Sequence, residues 1–120
     1  MNKRLNTALI LLVISAGLIG FYFWHKNSSK VAVMVTITDK GFEPDNIVIE
    51  KGTRVVFKNM DTKSHWPASN LHPTHGIYPE FDPQKAIDPG EVWSFVFKKK
   101  GVWRYHDHLY PQTVGSIEVL

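Results

Sequence analysis

None of the 120 residues is cysteine. That excludes a disulfide framework, a lipid-bearing cysteine and any metal centre built on a thiolate, and it leaves the redox compartment unmarked. A basic surface is missing too. The formal charge of +3 traces to Lys3, Arg4, Lys26 and Lys30; from Val31 onward ten Lys and Arg stand against eleven Asp and Glu, so the domain carries no electrostatic footprint for nucleic acid. Charge is absent altogether from Leu5 to Trp24. As a helix these twenty residues rise about 30 Å, the thickness of a hydrocarbon core. The run closes on Phe21, Tyr22, Phe23 and Trp24, rings that suit a membrane interface, and no A-x-A-like cleavage site follows.

Residues 1–24 are therefore read as a membrane anchor, with an uncleaved signal peptide as the alternative. Lys3 and Arg4 place the N-terminus in the cytoplasm, so the rest lies on the extracytoplasmic, periplasmic side of the cytoplasmic (inner) membrane. The polar stretch HKNSSK, 25–30, reads as a linker. Residues 31–120 are long enough to build one core without staples.

That domain has the periodicity of short strands. Val31, Val33, Val35 and Ile37 alternate with smaller or polar residues, and NIVIEKGTRVVFKN places two strands about a Lys51–Gly52 turn. Trp93, Phe95 and Phe97 face one way and Ser94 and Val96 the other, and GVWRYH and VGSIEV supply the last two strands. Between 66 and 90, prolines at 67, 73, 79, 83 and 89 argue against a long helix or a central strand. No internal repeat is present. The pattern predicts an all-β sandwich or barrel, with Lys98, Lys99 and Lys100 at a solvated hairpin tip, or alternatively a docking surface for an acidic redox partner.

Particular residues sharpen this. Phe42-x-Pro44, Ile47-x-Ile49, Gly52, Val55-x-Phe57, Asn59 and His65 in the first half, with Pro89-Gly90, Gly101-x-Trp103-x-Tyr105 and Gly115-Ser116-Ile117-x-Val119 in the second, closely resemble the cupredoxins, the copper-binding Greek-key β-sandwiches that include plastocyanin and amicyanin. The resemblance covers residues 31–120 and implies that fold, copper as cofactor, electron transfer as activity and His65 as first copper ligand. The ligand loop departs from the pattern. Laid against a short amicyanin-like loop, Asp107 occupies the cysteine position, Tyr110 the second histidine position and Thr113 the axial methionine position. A blue site needs its thiolate, so this chain cannot build one.

What stands there instead is Tyr105-His106-Asp107-His108. Side chains two apart on a strand share a face, with Cα atoms about 6.5 Å apart, so two imidazoles can reach one ion while Asp107 points the other way. GVWRYHDH is also similar to the G-T-x-W-Y-H-S-H stretch of multicopper oxidases, and His65-Trp66 to the start of their H-W-H-G motif, with Pro67 at its second histidine. A trinuclear cluster of that kind needs more histidines than this domain holds and would require assembly across subunits.

The expected metal site comprises His65, His106 and His108, joined by His72 and His75 from the loop at the same end; ordering a surface loop is the competing role for these last two. Glu80 and Asp82 are read as loop-ordering carboxylates, or as ligands or acceptors from histidine N–H groups. Trp66, Trp93, Trp103 and Tyr105 are assigned to the core. An imidazole-rich site suits Cu(II), with zinc behind it. Three roles follow: an electron carrier, a module that holds, delivers or senses copper in exchange with a protein partner, and a small copper enzyme acting on oxygen or a nitrogen oxide. No catalytic residue is assigned, and a binding or electron-transfer protein is favoured over an enzyme.

Overall fold

The structure, a computed structural model, describes residues 13–19 and 31–120. Residues 13–19 are helical and exposed. The rest of the expected anchor and the linker at 25–30 lie outside the described residues, and among the described residues no helix is long and apolar enough to cross a membrane.

Eight strands follow: β1 (Val33–Thr38), β2 (Gly41–Glu43), β3 (Asn46–Ile49), β4 (Arg54–Asn59), β5 (Pro67–Ser69), β6 (Val92–Val96), β7 (Gly101–Asp107) and β8 (Val114–Val119). They form two four-stranded sheets, ordered β2-β1-β4-β6 and β3-β8-β7-β5. Alternation decides which side chains meet between them. In β1 and β4, paired in parallel with Val35 opposite Phe57, residues Val35, Ile37, Val55 and Phe57 are fully buried. Ile49, Tyr105, Ile117 and Val119 answer from the second sheet. β7 and β8 run antiparallel with Tyr105 opposite Gly115, and a Cβ on that glycine would collide with the tyrosine ring.

Two expected turns do more than join neighbours. The Lys51–Gly52 turn carries the chain from the second sheet to the first, so the strands it separates do not pair. Gly52 takes φ 83°, open to glycine, and donates its N–H to the Phe97 carbonyl at 2.6 Å. Lys98–Lys100 likewise bridges β6 and β7 in different sheets, so it is an exposed crossover rather than a hairpin tip; Lys99 pairs with Glu80 at 3.2 Å and lies over the Tyr78 ring.

The proline-rich stretch is ordered without periodicity. β5 lies at a sheet edge, where Pro67 costs no ladder bond. Beyond it, Tyr78, Phe81 and Ile87 are buried in the core, Phe81 stacking on Trp93 with ring centres 5.8 Å apart. The hydroxyl of buried Ser69 lies 2.8 Å from the carbonyl oxygens of both His75 and Tyr78 and shares its one hydrogen between them, which folds the loop back over the end of β7. That return positions the site.

Candidate metal centre

His72 and His75 sit on the loop after β5; His106 lies near the end of β7 and His108 just past it. Strand alternation turns Tyr105 and Asp107 inward and His106 and His108 to the other face, where the returning loop meets them. The four imidazoles converge: one ligand atom from each lies within 4.8 Å of all the others. His75 Nε2 is 2.9 Å from His108 Nδ1, and His72 Nδ1 is 3.2 Å from His106 Nε2. Around one ion, metal–nitrogen bonds of about 2.0–2.1 Å place adjacent nitrogens about 2.8–3.4 Å apart and opposite ones about 4 Å apart. The two close pairs already have the first spacing, and no pair is separated by more than 4.8 Å. The donor set fits a nitrogen-preferring divalent ion.

The outward nitrogens explain which atoms face inward. His106 donates its Nδ1 hydrogen to the Asn70 side-chain oxygen at 3.0 Å, leaving Nε2 with its lone pair. His75 donates its Nδ1 hydrogen to Asp82 Oδ2 at 2.7 Å, leaving Nε2 likewise. His72 and His108 present Nδ1, so the four would bind through a mixture of the two ring positions. His75 holds this pose with φ 54°, a left-handed conformation uncommon for a residue with a Cβ and frequent at functional turns. His75 and His106 are buried, His108 is half-buried and His72 exposed, so one edge of the cluster meets solvent.

Burial, and then the neighbouring imidazoles of His75, His72 and His108, push His106 down to about 4. Burial first, then the same neighbours, lowers His108 as well. Both keep metal-binding lone pairs at neutral pH. The shift also has a consequence for folding. Between about 6.5, where an unfolded histidine titrates, and about 4, the unfolded chain binds protons that folded His106 refuses. Metal-free protein should therefore lose stability as pH falls through that window, with none of this loss above it. Urea midpoints at pH 7 and pH 5 check this; in His106→Gln the difference should shrink.

His65 is not brought to the other four. Its Nδ1 lies 2.5 Å from Asp107 Oδ2 and its Nε2 2.9 Å from Asp61 Oδ2, so both nitrogens are spent on carboxylates. The reason is the alternation of β7: His65 lies on the inward side, with Asp107, while His106 and His108 project from the other. The positions that the resemblance aligns with a blue copper centre do meet here. His65 touches Asp107, the Tyr110 ring is centred 5.5 Å from that of His65, and Thr113 lines the same hollow. Asp107 is completely buried; its Oδ1 also accepts the backbone N–H groups of Trp66 and Leu109, each at 3.0 Å.

Of the loop carboxylates, Asp82 is an acceptor for a site histidine, whereas Glu80 bonds Lys99. Burial opposes ionisation of Asp82, but hydrogen bonds from His75, the Gln84 backbone and Trp66 outweigh it and hold the carboxyl below its usual value. Trp66 is half-buried against the site, its ring centred 4.7 Å from that of His108. Sequence reasoning missed Asn70 and Asp61. Asp61 stands four residues before His65 in a segment between strands, where no periodicity relates the two.

The cupredoxin-like domain family matches residues 9–119. Among solved structures, the chain is similar to a novel purple cupredoxin from Nitrosopumilus maritimus, with 24% identity over 73% of this chain and 99% of that one and a TM-score of 0.65. It is also similar to the reduced form of an amicyanin variant, with 19% identity, 79% and 88% coverage and a TM-score of 0.66. A Cu(I) amicyanin variant matches at 20% identity, 74% and 82% coverage and a TM-score of 0.64. At these identities the likeness is one of fold. No curated protein matches the chain. The sheet pairing and the extent of the family match agree: the chain belongs to the cupredoxin-like domain family, with a cluster of four histidines in a domain that has no cysteine.

Proposed function

We propose that this protein binds one Cu(II) ion through His72, His75, His106 and His108 and holds it for exchange with a partner at the outer face of the cytoplasmic membrane. The observation that carries the reading is the convergence of four imidazoles with no sulfur donor. Among first-row divalent ions such nitrogen sites favour Cu(II) over zinc and nickel, and the cupredoxin framework, which carries Cu(I) in one of the amicyanin variants above, adds weight to copper. Bound there, copper would supply a one-electron couple and a Lewis-acidic centre. The membrane location rests on the uncharged run from Leu5 to Trp24 with Lys3 and Arg4 before it.

The second reading is electron transfer, which the family implies and the exposed edge at His72 favours, since it gives a redox partner access. All-nitrogen copper rearranges more between Cu(II) and Cu(I) than a thiolate site does, so holding the ion is the primary reading. The full-length protein should take up one Cu(II) with an axial, type 2 EPR spectrum, nitrogen splittings and no intense thiolate charge-transfer band. Preference for zinc over Cu(II) in direct competition would overturn the assignment. A fast self-exchange rate would move it to the electron carrier.

A further inference from the structure

We propose that Asp82 sets the oxidation-state preference of the copper site, favouring Cu(II) over Cu(I) through its hydrogen bond to His75. This rests on the four-histidine copper reading above and adds a residue that acts through a ligand.

The acceptors behind the site histidines are unequal. His106 Nδ1 meets the neutral side-chain oxygen of Asn70 at 3.0 Å, whereas His75 Nδ1 meets the carboxylate of Asp82 at 2.7 Å. The neighbouring carboxylates are engaged elsewhere: Asp107 and Asp61 face His65, and Glu80 bonds Lys99. Asp82 is also fixed in place. Its Oδ1 accepts the Trp66 indole N–H at 2.8 Å and the Gln84 backbone N–H at 2.7 Å, and Gln84 adopts φ 57° to deliver that bond. Trp66 in turn packs on His108. One carboxylate thus steadies His75 directly and His108 through an aromatic ring.

A carboxylate that accepts the far N–H of a ligating imidazole draws that hydrogen outward and makes the inner nitrogen a stronger donor. The gain is larger for the ion of higher charge. Cu(II) is held more tightly, Cu(I) much less so, and the reduction potential falls. A residue that merely ordered the loop would change both affinities together and leave the potential where it was.

The test uses the full-length protein, with Cu(II) and Cu(I) affinities measured against competing chelators and the potential by voltammetry. Asp82→Asn should retain one copper but bind Cu(II) about tenfold more weakly, with Cu(I) affinity nearly unchanged. That ratio corresponds to a potential about 59 mV more positive. Asn70→Asp supplies the mirror experiment, because it places a carboxylate behind His106 and should shift the potential negative by a similar amount. This second variant decides the matter where Asp82→Asn fails to fold. Equal losses of Cu(II) and Cu(I) affinity, or an Asn70→Asp potential that stays put or rises, overturn the role of Asp82 and leave the copper site standing. A parent protein that binds no copper overturns both.

Discussion

His106→Ala is expected to weaken Cu(II) binding by more than about a hundredfold, the upper range for losing only an outer partner of a ligand, while His65→Ala leaves affinity within about threefold. Of the four proposed ligands, His106 has the least freedom to be replaced. It is buried on a central strand, its ring is fixed by Asn70, and its Nε2 is 3.2 Å from His72 Nδ1. Alanine there removes one donor and opens a gap behind a second. His65 is an equally buried histidine that holds the position the cupredoxin pattern reserves for a copper ligand, yet both of its nitrogens are committed to Asp61 and Asp107. Chelator competition on the two variants at one pH separates the cases. Loss of copper from His65→Ala that matches the loss from His106→Ala, in protein shown to be folded, would return the site to the inward face of β7.

The contrast between these two histidines marks the boundary of what the sequence could tell. The strands were legible because alternation such as Val33, Val35 and Ile37, or Trp93, Phe95 and Phe97, reports directly on which side is buried. The family was legible because residues of its motifs are fixed by tertiary contacts: Phe42 is buried in the core, Asn59 donates to the carbonyls of Lys63 and Ile87, and Gly115 is required where the Tyr105 ring crosses β8. His106 and His108 could be paired on a face by the two-residue period, and that same period turned Asp107 away from them. The position of His65, apart from the four-histidine cluster, was not legible because no local period relates it to β7. Family alignment placed it beside residue 107, where the structure also has it, but residue 107 faces the opposite side from the histidines that flank it. His72 and His75 were legible as candidates and not as members, since the loop conformation that delivers them depends on an irregular local contact, the Ser69 hydroxyl shared between the carbonyls of His75 and Tyr78, that no periodicity announces. Asn70 left no trace in spacing or composition. Its role depends on a hydrogen bond spanning 36 positions in sequence.

Asp107→Ala should destabilise the domain by about 3–6 kcal/mol, with or without copper, because it strands three donors at once. The carboxylate is fully buried and accepts two backbone N–H groups, those of Trp66 and Leu109, together with the His65 ring. An orphaned donor costs about 1–3 kcal/mol when fully buried. The bonds from Trp66 and Leu109 are only part-buried, which keeps the total below the ceiling of about 9 kcal/mol, and it is still a large share of the 5–15 kcal/mol typical of a domain's stability. Asp107→Asn is the discriminating partner. Its side-chain oxygen can still accept from both backbone groups, so the loss should be confined to the bond with His65, about 1–3 kcal/mol. Urea unfolding of the metal-free proteins measures both. The argument extends beyond stability. In a blue cupredoxin the ion ties the loop bearing the first histidine to the loop bearing the cysteine, whereas here a histidine–carboxylate contact makes the same connection with no metal. A fold that closes this end by hydrogen bonding leaves the outer face of the same strand free for the proposed metal site. Should Asp107→Ala unfold at the same urea concentration as the parent, the carboxylate does not hold that end together, and some other contact keeps His106 and His108 in register with the loop.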